Sequence, residues 1–175
     1  MKNGFAVVIL FSLLFSCGYT LQGGGKLPGN IETVSVAVFK NKSAQVGAET
    51  LFANALIQEL MRNSTVRVID HKSEESQNNN DADALIYGTI VSVSFNALAR
   101  TSEDSVYKRG VSAVIDLEMK SSAGEILFAV NGFTESESYA VANDNATDEA
   151  ILNSTIEKIA SRLSRRLVGQ MTDSF

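Results

Sequence analysis

Residues 85–139 carry three successive runs of alternating polarity, and runs of this length bury one face each only by pairing into a sheet. Leu85, Tyr87, Thr89, Val91, Val93 and Phe95 share one face of the first run. Val111, Ala113, Ile115, Leu117 and Met119 share one face of the second, and Ile126, Phe128 and Val130 begin the third. Gly132 marks a bulge, after which Phe133, Glu135, Glu137 and Tyr139 continue the alternation with polar character. Ser121-Ser122-Ala123-Gly124 is a turn. Short connections make these three strands antiparallel neighbours.

Two helical periods flank them. Phe52, Leu56 and Leu60 form one stripe over residues 47–62, with Ala55 beside it and Asn63-Ser64 as the stop. The closing helix starts near Thr147 or Asp148 and carries Leu152, Ile156, Ile159, Ala160, Leu163 and Leu167 on one stripe. Before the first helix, Val34, Val36 and Val38 alternate with Thr33, Ser35 and Ala37 as a half-buried strand; after it, Val66, Val68 and Ile69 give a second. Two strands joined through a helix are parallel in one sheet. The fold class expected is therefore α/β in the α+β sense: a two-layer sandwich, its sheet mixed and mostly antiparallel, with two helices packed on one face.

Composition removes several function classes. A single Cys excludes an intramolecular disulfide and multi-cysteine metal sites, and a single His excludes paired-histidine zinc motifs. A net charge of −5 argues against general nucleic-acid binding. The chain has no G-x-S-x-G, H-E-x-x-H, P-loop or dinucleotide fingerprint, so no enzyme is expected. Asp116 and Glu118 share a strand face in the manner of an acid–base pair, but opposite Ile115 and Leu117 they read as a solvated face. His71, Glu74, Glu75, Asp81 and Asp83 fall in a polar loop without metal-ligand spacing. Arg162, Arg165 and Arg166 read as cations placed near the negative end of the last helix.

The amino-terminal segment is organised differently. Lys2 precedes an apolar run over residues 5–15, whose eleven residues span roughly 17 Å of helix, too short for a hydrocarbon core of about 30 Å. That pattern is a signal peptide, residues 1–16. Leu14-Phe15-Ser16-Cys17 resembles the lipobox of bacterial lipoprotein precursors. The resemblance implies a covalent diacylglycerol on Cys17, cleavage before it and acylation of the new amino group. It also implies outer-membrane sorting, because Gly18 stands where Asp retains such proteins in the inner membrane. No other cofactor is expected. Cleavage removes Lys2 and no acid, leaving 14 basic against 20 acidic residues and a charge of −6. Residues 17–30, with Gly23-Gly24-Gly25 and the only Pro at 28, form a lipidated tether to a single domain over 31–175.

Along the mature chain several short patterns occur in order. They are Cys17-Gly18-Tyr19-x-Leu21, Leu27-Pro28-x-x-Ile31, Val38-Phe39-x-Asn41 and Glu49-x-x-Phe52…Leu60, then Ala82-Asp83-Ala84-Leu85-Ile86-Tyr87-Gly88-Thr89-Ile90. This set resembles the LPS-assembly lipoprotein family (LptE). The resemblance implies the same two-helix, mixed-sheet sandwich, a place as plug inside the outer-membrane β-barrel LptD, help in assembling that barrel, and contact with lipopolysaccharide. A plug meets a polar barrel lumen, and the faces bearing Ser92, Ser94, Asn96, Asp116, Glu118 and Lys120 suit one. Lipopolysaccharide presents phosphates, and the hairpin from Leu98 to Gly110 offers Arg100, Lys108 and Arg109 to them, Arg100 being the best positional match to the family's basic residue. Before the last helix this chain has Asn143 and Asp144 where the family carries a second basic contact. Val36-Ala37-Val38-Phe39-x-Asn41 also resembles the opening strand of CsgG- or TolB-like modules, which implies as alternative a periplasm-facing pore or adaptor subunit.

Overall fold

The structure, a computed structural model, describes residues 25–29, 31–69, 82–100 and 106–173. The signal segment, Cys17, His71 with most of its loop, and residues 101–105 of the hairpin lie outside the described residues. The elements in chain order are β1 (Thr33–Val36), β2 (Lys40–Asn41), α1 (Ala48–Asn63), β3 (Arg67–Ile69), β4 (Ala84–Arg100), β5 (Val106–Ser121), β6 (Ile126–Ala140) and α2 (Asn145–Asp173). They form one six-stranded sheet of order β3-β1-β4-β5-β6, with β2 beside β4. β1 runs parallel to β3 and β4, and β2 parallel to β4, while β4, β5 and β6 are antiparallel. The expected mixed α+β sandwich is the fold observed.

The helical stripes pack as their periods require. Phe52, Leu56 and Leu60 of α1 and Ile156, Ile159, Ala160, Leu163 and Leu167 of α2 are buried in one core. Val111, Ala113, Ile115, Leu117 and Met119 of β5 face the same core. α2 begins at Asn145, slightly earlier than the apolar period indicates, because Asp144 caps it: Asp144 Oδ1 accepts the Thr147 N–H at 2.8 Å. That bond, with the Thr147 side chain, holds the Asp144 carboxyl below its usual pKa.

Four expectations change. β1 ends at Val36, and Val38 is 64% exposed while Phe39 turns into the core. The alternation of β4 spans two faces rather than one. Ala84, Ile86 and Ile90 are buried under the helices, while Leu85, Tyr87 and Thr89 lie on the opposite face. A bulge between Ile90 and Ser92 inserts one residue, and a single insertion in a period-two strand exchanges the faces, so Val93 and Phe95 return to the helix side opposite Ala113 and Val111. The tether ends earlier than residue 30: Gly25 bridges Ser64 and abuts Thr172 with no room for a side chain, and Leu27 is only 3% exposed. Finally, Arg162, Arg165 and Arg166 lie inside α2, whose last turn holds no basic residue. They face carboxylates, not the helix terminus: Arg165 Nε stands 3.9 Å from the buried Glu59.

The short patterns shared with the family turn out to be joints. Phe39 lies flat over Gly88, where an added Cβ would stand 2.4 Å from the ring. Asn41 donates from Nδ2 to Gln45 O and to Glu49 Oε2, and its Oδ1 accepts from the Ser43 N–H, which fixes the approach to α1. Asp83 Oδ2 accepts three bonds, from the N–H of Glu32 and of Thr33 and from the Thr33 hydroxyl, at 2.8–3.0 Å. Those bonds hold its carboxyl below the ordinary value and tie the start of β1 to the start of β4.

Candidate functional site

Beyond Ile90, β1 and β2 no longer accompany β4, and the sheet narrows to a three-stranded arm of β4, β5 and β6. One face of this arm carries Ser92, Ser94, Asn96, Ser112, Val114, Thr134, Ser136 and Ser138, aligned by the cross-strand register. These side chains are half-buried or exposed, so the face is polar and short-chained. Further down the same face, Asp116 accepts the Gly132 N–H at 2.8 Å and Glu118 pairs with Lys120 at 3.0 Å. The Gly132 bulge, with φ of 66°, is thus held by Asp116. The carboxylates expected on a solvated face have structural partners there.

Towards its tip the arm also exposes apolar groups. Phe95, Leu98 and Tyr107 are 42%, 57% and 52% exposed. The alternating pattern groups Phe95 with Val91 and Val93 on one face, and nothing in the sequence marks Leu98 and Tyr107 as surface groups. The missing signal is how far the helices reach along the arm, which no local pattern contains.

The three cations of the hairpin do not form one cluster. Arg100 ends β4, paired in register with Val106. Lys108 is exposed, with Ala99 and Ala140 as its cross-strand neighbours. Arg109, one residue on, emerges on the opposite face. There its Nη1 donates to Tyr139 Oη at 2.9 Å and to Asp148 Oδ2 at 3.2 Å, and the guanidinium stands 5.9 Å from the centroid of the Tyr139 ring. Asp148 Oδ1 also accepts the Ala142 N–H at 3.1 Å. Arg109 therefore clasps β5 and β6 to the first turn of α2, whereas Lys108 is exposed. Sequence reasoning missed Asp148 as its partner because 39 residues separate the two.

Among the described residues no cluster of His, Cys, Asp and Glu could hold a metal ion, and no helix is long and apolar enough to cross a membrane.

A sequence profile of the LptE family, described as lipopolysaccharide-assembly, matches residues 31–174. No curated protein matches the sequence. Among solved structures, the chain resembles an uncharacterized lipoprotein B from Nitrosomonas europaea, with TM-score 0.56 and 14% identity, covering 89% of this chain and 90% of the other. It also resembles the hypothetical protein CT253 from Chlamydia trachomatis, with TM-score 0.53 and 10% identity over 81% of this chain and 96% of that one. The rare lipoprotein B from Shewanella oneidensis gives TM-score 0.50 and 11% identity over 82% and 96%. At these identities the structural likeness speaks to the fold.

Proposed function

The chain belongs to the LptE lipopolysaccharide-assembly family, and from that premise we propose that it plugs and helps assemble an LptD-type β-barrel in the outer membrane. Cys17 carries the lipid anchor and the domain faces the periplasm. Its role is in lipopolysaccharide assembly, with no catalytic step of its own. The observation that carries the plug is the arm of β4, β5 and β6. Its uncovered face of Ser, Thr and Asn side chains suits a polar barrel lumen, which a wide apolar face would not. Within that role, Arg100 and Lys108 meet lipid A phosphates, while Arg109 positions the hairpin on α2.

Co-purification from membranes tests the plug: one large β-barrel partner at a one-to-one ratio supports it, and a homo-oligomeric ring overturns it in favour of a pore subunit. Titration of lipopolysaccharide into the parental chain and an Arg100→Ala/Lys108→Ala variant tests the contact. Each charge-assisted bond contributes about 1.5–3 kcal/mol where water is excluded, so losing both weakens binding by more than about tenfold. Equal affinities at low and high salt would remove both residues from the site.

A further inference from the structure

Among the described residues no strand pairs with the outer side of β6, which is a long regular edge. From Phe133 to Ala140 its register against β5 is unbroken, pairing with Ile115 through Lys108. The Val141 N–H donates to Tyr107 O at 3.0 Å, which sets the phase of the ladder. Residues 133, 135, 137 and 139 exchange bonds with β5, so the N–H and C=O of Thr134, Ser136, Ser138 and Ala140 point away from the sheet. Such an edge is a template for another strand. On the other side of the arm, β4 beyond Ile90 is broken by three register shifts, and bulges blunt an edge. β6 has no shift in this stretch.

It has charge instead. Arg166 Nη1 donates to Thr134 O at 3.1 Å and to Glu135 Oε2 at 2.8 Å, and its guanidinium lies 4.6 Å from the centroid of the Phe133 ring. One turn earlier on α2, Arg162 Nη2 donates to Ser136 O at 3.3 Å and to Glu137 Oε2. The outward carbonyls of Thr134 and Ser136 are thus each held by a guanidinium. Each guanidinium bonds a strand carbonyl and the carboxylate of the next residue through one terminal nitrogen.

We propose that Arg162 and Arg166 are edge guards, which keep β6 from pairing with the β6 edge of a second copy of this chain. The occupant follows from the edge itself. An antiparallel edge is self-complementary about a twofold axis, and Thr134, Ser136 and Ser138 are small and uncharged. With the guanidiniums gone, no charge on those outward-pairing residues opposes a copy.

The test uses the full chain in detergent, with an Arg162→Met/Arg166→Met variant that keeps the apolar stems. Mass by light scattering over a wide concentration range and backbone hydrogen exchange are the readouts. The parental chain is expected to stay monomeric. The variant is expected to dimerise with concentration and to show slowed exchange at Thr134, Ser136 and Ser138. Adding Ser136→Pro, which removes one outward N–H, should return the variant to monomer. A variant that stays monomeric with unchanged exchange, or a parental chain that already dimerises through β6, overturns the proposal. Should the double Met variant not fold, Arg162→Gln/Arg166→Gln, which also removes both charges, carries the same two outcomes.

Discussion

The two halves of β4 are one continuous strand with opposite fates. Residues 84–90 sit between β1, β2 and β5, and their helix-side positions are fixed by neighbours: Ala84 and Ile86 by the core, Gly88 by the Phe39 ring, and the preceding Asp83 by Thr33. Residues 92–100 lose β1 and β2, pass the bulge at Val91, and end in exposed Phe95 and Leu98. The lesson concerns what a shared sequence pattern means. Of the short patterns quoted above, residues 82–90 fall on the fixed half, where they join the domain.

The contrast breaks first at Gly88. A methyl group there meets the Phe39 ring at a distance real side chains do not adopt, so Gly88→Ala should destabilise by about 1–3 kcal/mol in chemical denaturation. Phe39→Leu should restore a large part of that loss. An unaltered unfolding midpoint would show that this joint is loose and that the two halves of β4 differ less than their packing indicates.

Asp83 gives a smaller effect with a definite pH sign. The Thr33 hydroxyl, the N–H groups of Thr33 and Glu32, and more weakly the Arg67 charge lower its pKa from the ordinary 3.8. A carboxylate with a depressed folded pKa contributes stability that is present above the unfolded value and is lost as pH falls through the folded value. Asp83→Asn should therefore lower the melting temperature at neutral pH, and the difference should close below about pH 4. A difference independent of pH would assign the effect to shape rather than charge.

Least of all should stability respond on the arm. Phe95→Ser, Leu98→Ser and Tyr107→Ser together remove exposed apolar surface and should shift unfolding by no more than about 0.5 kcal/mol per site. On the plug role proposed above, the same variant should lose co-purification with the barrel. Unfolding of this variant would make the arm part of the core and erase the comparison.

The sequence by itself determined the layers. Helix stripes at Leu56 and Leu163, the run from Val111 to Met119 and the bulge at Gly132 are local periodicities, and a local periodicity needs only neighbours in the chain to be legible. The candidate site was legible only as far as the hairpin and its cations. Which cation is free was decided by the tertiary structure: Arg109 is taken by Asp148 and Tyr139, Lys108 faces outward, and Arg162 and Arg166 reach β6 rather than a helix end. The phase reversal at Val91 and the exposure of Phe95, Leu98 and Tyr107 belong to the same class. The physical reason is range. A side chain's period is set by residues two to four positions away, whereas its partner and its access to water depend on where distant elements end, and that is settled only when the sheet closes under its helices.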